Sequence, residues 1–161
     1  MGRKKQIFFI VSVALASTGI YAMVRTFSQT DETRIQRALY AAVAGVEQSD
    51  VSRYGTIISF AYRDDAGRNK LNLLRTAEEI FLEFRPLRVE IKQLTITIAE
   101  DGKSGEAIIG FKIYFKRMPE GKLYYEAGRF EADFAKEGSA WRIRSLNYID
   151  ADEIMFIQAV A

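Results

Sequence analysis

The chain has 161 residues, 48% of them apolar and 27% charged, the make-up of one folded domain of ordinary size rather than a disordered segment. It contains no cysteine and no histidine, which excludes disulfide frameworks, thiolate or imidazole zinc sites, Ser-His and Cys-His nucleophiles and lipid attachment through cysteine. The formal charge of +2 is set by the N-terminus: without Arg3, Lys4, Lys5 and Arg25 the remainder has 19 basic and 21 acidic residues, a balance that offers no basic face to nucleic acid.

Residues 7–24 read IFFIVSVALASTGIYAMV without a charge, long enough at about 1.5 Å per residue to cross roughly 27 Å of hydrocarbon. A basic tail (1–6) precedes this run and Asp31 and Glu32 follow it, so the expectation is a single-pass anchor over 7–25 in the cytoplasmic membrane, N-terminus inside and domain outside. The alternative is a signal peptide cleaved near Ala16, after the small-x-small group Ala14-Leu15-Ala16. Either way the lipid bilayer is the first expected partner, and a polar linker (26–30) leads to one domain (31–161).

Thr30 before Asp31 and Glu32 is a helix-start signal, and Ile35, Ala38, Leu39, Ala42, Val43 and Val46 keep helical spacing to about Gln48. The stretch 51–62 suits a short helix leading into a short strand. Asp64-Asp65-Ala66-Gly67 marks a turn, after which Leu71, Leu74, Ala77, Phe81 and Phe84 form a second helical stripe that Pro86 ends.

From Leu87 the period changes from 3.6 to 2, and four strand-like runs follow. In the first, Lys92-Gln93 interrupts the alternation between Ile91 and Leu94, as a β-bulge does. Ala107, Ile109, Phe111, Ile113 and Phe115 share one face of the second run, with Ile108, Lys112 and Tyr114 on the other. Met118-Pro119-Glu120-Gly121 turns into a third run in which Phe130, Ala132 and Phe134 point inward and Glu131 and Asp133 outward. A fourth brings Trp141 and Ile143 to the core, and an apolar group, Ile154-Met155-Phe156-Ile157, lies near the C-terminus.

Helices followed by a bent four-strand antiparallel meander closing on a Trp-Arg-Ile strand make an α+β pattern that resembles the nuclear transport factor 2-like superfamily, the cystatin-like α+β roll. The stretches that carry the likeness are LRVEIKQLTITIAEDGKSGEAIIGFKIYF (87–115) and GRFEADFAKEGSAWRIRSL (128–146), within about 31–150. The resemblance implies a cone-shaped domain whose curved sheet wraps its helices and leaves room for a pocket. It also implies functions that range from small-molecule isomerases and dehydratases to non-catalytic assembly subunits, some of them behind one transmembrane helix.

No residue set reaches the specificity of a catalytic, metal or nucleotide motif, and none calls for a cofactor. The inward positions read from the second and third long strands carry no ionisable side chain. Asp150-Ala151-Asp152-Glu153 lacks the spacing and glycine of a calcium loop, and Gly102-Lys103-Ser104 lacks the first glycine of a phosphate-binding loop. Tyr54 and Tyr62, with Phe111, Phe130 and Trp141, are the candidate walls of a pocket. The first functional expectation is a membrane-anchored, non-catalytic interaction module that joins itself or another protein through Ile108, Lys112, Tyr114, Ile154 and Phe156. The alternative is a pocket protein for a small apolar molecule, isomerase-like or dehydratase-like, for which a cavity above about 300 Å³ with an inward-facing carboxylate is the mark.

Overall fold

The computed structural model describes residues 30–151 and 155–157. The expected anchor, the basic tail before it and Ile154 lie outside the described residues. Among those described, no helix is long and apolar enough to cross a membrane.

The first helix, α1 (Asp31–Glu47), follows the apolar spacing, with Ile35, Leu39 and Ala42 buried and two acids in the first turn, where the helix dipole favours them. Gly45 continues the buried stripe because the next helix crosses there: a Cβ at Gly45 would stand 2.8 Å from the backbone nitrogen of Tyr54. That helix, α2 (Val51–Gly55), is capped by Asp50, whose side chain accepts from the Arg53 amide at 2.9 Å.

The strand expected after α2 is reduced to one parallel bridge, Ile58 to Ile143. The Ser59 amide donates to the Ile143 carbonyl and the Ile143 amide to the Ile57 carbonyl, and then the chain turns as the Tyr62 amide bonds back to Ser59. Ile57, Ile58 and Ser59 are buried nonetheless, so their apolar pattern reflects core packing rather than strand length. The expected turn is present, with the Gly67 amide on the Asp64 carbonyl and Gly67 at φ 73°.

The third helix, α3 (Lys70–Glu83), starts at an Asn69 cap and ends where Phe84 turns extended. Its expected stripe is only partly right. Leu71 is 67% exposed and Phe84 opens a strand, while Leu73 packs against the core and Leu74 lies against Gly55. The helix packs chiefly against α2 and the first strand, so it buries a narrow edge and leaves the side bearing Leu71 outward.

Four long antiparallel strands form the sheet in the order β1 (Phe84–Ile98), β2 (Ser104–Arg117), β3 (Leu123–Glu137), β4 (Ala140–Ala151). The first begins at Phe84, three residues before the position read from the alternation. The register shifts between Ile91 and Gln93, as Lys92-Gln93 implied, and again between Pro86 and Arg88, Arg129 and Phe130, and Asp133 and Phe134. Each shift adds local twist and bend, and together they curl the sheet around α1. Ala107, Ile109, Phe115, Ala132, Phe134, Trp141 and Ile143 are buried on the inner face. A short β5 (Met155–Ile157) pairs with Leu123, Tyr124 and Tyr125 of β3.

One polar cluster ties α1 to the sheet. The Asp31 carboxylate accepts from the Trp141 indole N–H at 3.0 Å and from the Lys136 ammonium at 3.0 and 3.1 Å. The Trp141 and Lys136 hydrogen bonds hold the Asp31 carboxyl below the ordinary carboxylate range. A carboxyl lowered by folding stabilises the protein above its unfolded pKa, and that contribution is lost as pH falls through the folded value. Asp31→Asn should therefore cost about 1–2 kcal/mol at pH 7, measured by urea unfolding of the full-length chain with its one tryptophan, Trp141, as the fluorophore. The gap from wild type should persist down to the ordinary carboxyl value of 3.8 and close below it; a gap that ignores pH would assign the loss to packing.

Candidate functional site

Beyond the clamped end of α1, the helix and the inner face of the sheet border a half-open cavity of about 310 Å³. Leu39, Ala42, Val43 and Val46 line it from α1, Tyr54 from α2, and Val89, Ile91, Ile109, Phe111, Ile113 and Phe130 from the first three strands. A second hollow of about 440 Å³ adjoins it toward the free end of the sheet, walled by Ile80, Phe81, Phe84, Phe115, Arg117 and Tyr124. The two share Val46, Ile113 and Glu126. The larger hollow of about 550 Å³ between Phe60 and Leu71 is a surface feature, lined only by residues from Phe60 to Leu74, with no sheet residue behind it.

Glu126 corrects the expectation that the inward face carries no ionisable group. In register Ile113 lies opposite Glu126, Phe115 opposite Tyr124 and Ile109 opposite Phe130, so Tyr124, Glu126 and Phe130 share the inner face. The alternation that identifies Phe130, Ala132 and Phe134 reaches Glu126 when carried four residues back. Gly128, with no side chain to mark the phase, interrupts it.

The Glu126 carboxylate accepts from the Tyr148 hydroxyl at 2.8 Å. Among the described residues its other oxygen takes no partner. Tyr148 stands edge-on to Phe130, with ring centres 4.8 Å apart, and Phe130 stacks on Phe111 at 4.7 Å. Three rings thus stand beside one acid.

Of the sequence-derived wall residues, Tyr54, Phe111 and Phe130 line the cavity. Tyr54 is held there by the close approach of α2 to Gly45. Burial pushes its phenol up to about 12, against a small opposing effect of Arg68, and among the described residues no group hydrogen-bonds to its hydroxyl. Tyr62 and Trp141 lie outside the lining. Tyr62 is 1% exposed and donates to Asp64 at 3.1 Å, and burial first, then the Asp64 charge, raise its phenol further. Trp141 belongs to the Asp31 clamp.

Ile108, Lys112 and Tyr114 are on the outer face of β2, where the Lys112 ammonium lies 3.9 Å from the Tyr125 ring centre and 5.2 Å from that of Tyr114. The backbone of Phe156 pairs with Tyr124. The same outer face brings Glu106, Glu131 and Asp133 together, with carboxylate oxygens within 4.8 Å of one another. Ser145 donates to Asp133 at 2.6 Å, and the Asn147 Oδ1 is buried without a partner. Such oxygens suit a hard cation, but solvated acid groups of this kind are common without one.

No protein-family model matches the chain, and no curated protein does. Solved structures do. A hexachlorocyclohexane dehydrochlorinase, LinA type 2, superposes with a TM-score of 0.70 at 12% identity over 86% of this chain and 95% of that one. A protein described as a scytalone dehydratase from Novosphingobium aromaticivorans DSM 12444 gives a TM-score of 0.70 at 10% identity, covering 81% and 90%. A nuclear transport factor 2-like superfamily protein from Salmonella enterica serovar Typhimurium LT2 gives 0.63 at 14% identity, covering 74% and 89%. Identities this low speak to architecture alone: the chain has the nuclear transport factor 2-like fold.

Proposed function

We propose that the domain binds a small, predominantly apolar organic molecule in the cavity between α1 and the curled sheet. The observation that carries this reading is the composition of the cavity: about 310 Å³ of apolar and aromatic wall, Tyr54 among it, with one carboxylate, Glu126, in the lining. Small-molecule sites have this make-up, with few polar groups placed to orient a ligand within an apolar enclosure. Two of the fold neighbours are named for reactions on small organic molecules, which supports a pocket over a purely associative role. From the sequence we add that the pocket is held at the outer face of the cytoplasmic membrane by residues 7–25.

Ala42 is 8% exposed and lines the cavity from α1, so a larger side chain there enters the empty volume. In zwitterionic lipid nanodiscs, with empty discs as reference, the full-length protein should bind 4-phenylbutan-1-ol saturably at one site by calorimetry. Ala42→Phe should weaken that binding by at least about tenfold, or 1.4 kcal/mol, while leaving cooperative unfolding intact. Wild-type protein that takes up no apolar probe would end the pocket reading.

Tyr54 and Tyr62 give a second check. Tyr54→Phe removes a hydroxyl that has no partner among the described residues and should change stability by less than about 0.5 kcal/mol, whereas Tyr62→Phe removes a buried hydrogen bond to Asp64, which keeps only Arg68, and should cost about 1 kcal/mol. Equal losses in urea unfolding would place the Tyr54 hydroxyl in a structural bond instead. For the anchor, alkaline carbonate should leave the full-length chain in the membrane pellet and release a chain lacking 7–25; release of both would remove the membrane from the account.

A further inference from the structure

We infer that the ligand of this cavity is an organic cation, an amine carrying an apolar tail. The inference rests on the pocket reading above and concerns which chemistry that pocket selects.

Glu126 is the only acidic or basic side chain that lines the inner cavity among the described residues. It faces both hollows at their junction, and one of its oxygens is engaged by the Tyr148 hydroxyl at 2.8 Å. The remaining oxygen has no donor among the described residues. Glu126 is half-buried rather than sealed off, so its second oxygen keeps water in the empty cavity, and a positive charge is the partner that best replaces that water.

The outer hollow brings one cation near, Arg117, but its guanidinium already pairs with Glu83 at 3.3 Å. Glu83, Arg117 and Glu126 together therefore present one net negative charge at the junction. An anionic ligand would be repelled there and a neutral one would leave the free carboxylate oxygen without a charge partner.

The aromatic wall points the same way. Phe111 and Phe130 stack at 4.7 Å, and Tyr148, the residue that holds Glu126, stands edge-on to Phe130 at 4.8 Å. Ring systems attract an ammonium group through their quadrupoles, and a carboxylate adds charge and a hydrogen-bond acceptor. The apolar lining from Leu39, Ala42 and Val46 then takes the tail.

The test uses three compounds with one tail: 4-phenylbutylamine, 4-phenylbutan-1-ol and 4-phenylbutyrate, titrated calorimetrically against the full-length protein in zwitterionic nanodiscs. The amine should bind at least roughly tenfold more tightly than the alcohol, and the carboxylate least well. In Glu126→Gln, which keeps an acceptor for the Tyr148 hydroxyl, the amine's advantage should fall to about parity. Equal affinities for amine and alcohol in the wild type, a comparison that needs no variant, would overturn the cation inference while leaving the pocket in place. So would an advantage that survives Glu126→Gln. Failure of all three compounds to bind protein that unfolds cooperatively would overturn the pocket and the inference together.

Discussion

The structure depends on a mismatch of lengths. β3, with 15 residues, extends roughly 50 Å at the rise of a strand, whereas the 17 residues of α1 reach only about 26 Å at the rise of a helix. One helix cannot cover one face of such a sheet. The Asp31 carboxylate fixes the start of α1 at the end of the sheet that carries Trp141 and Lys136, and near the other end of the helix Glu47 accepts from the Val89 amide at 2.8 Å. The inner face beyond that point is left to the side chains of α3 and the start of β1, which meet it less closely. Four register shifts curl the uncovered part toward the helix, so it encloses space instead of opening flat to solvent. The cavity is what remains of the inner face after α1 has ended.

That geometry explains what was legible in the sequence. Period and phase are local properties, so the first helix, the change from period 3.6 to 2 and the bulge at Lys92-Gln93 could be read directly. Tertiary contact decides the rest. Ile57 and Ile58 have strand chemistry but meet β4 at a single bridge. Leu71 keeps helical spacing, yet α3 has too few neighbours to bury it, and it stays 67% exposed. Tyr62 and Trp141 were sound candidates by type, and only the fold shows them committed to Asp64 and Asp31. Glu126 is a different case, since its inward direction was written in the alternation of β3 and Gly128 concealed it.

Fold and function separate cleanly here. Neighbours at 10–14% identity share the roll, and a roll that serves a dehydrochlorinase in one protein need not serve the same chemistry in another. The absence of histidine narrows the question, because the side chain most often used for proton transfer near neutral pH is not available to this site. What the cavity retains is a carboxylate with one phenolic donor and a second phenol that has no partner among the described residues. These are groups that recognise a ligand by charge and hydrogen bonding.

The position of Glu126 along β3 bears on why an acid is tolerated in so apolar a place. A carboxylate deep on the inner face would lose its hydration almost entirely, at a cost that a single bond from Tyr148 could not offset. Glu126 stands instead at the junction of two hollows, half-buried, and so keeps part of its hydration. A charge set at such a boundary has lost only part of its hydration before any ligand arrives, so an arriving cation gains the attraction without meeting the full cost of desolvating the acid. The half-burial that lets the fold tolerate Glu126 thus also leaves it available to a ligand.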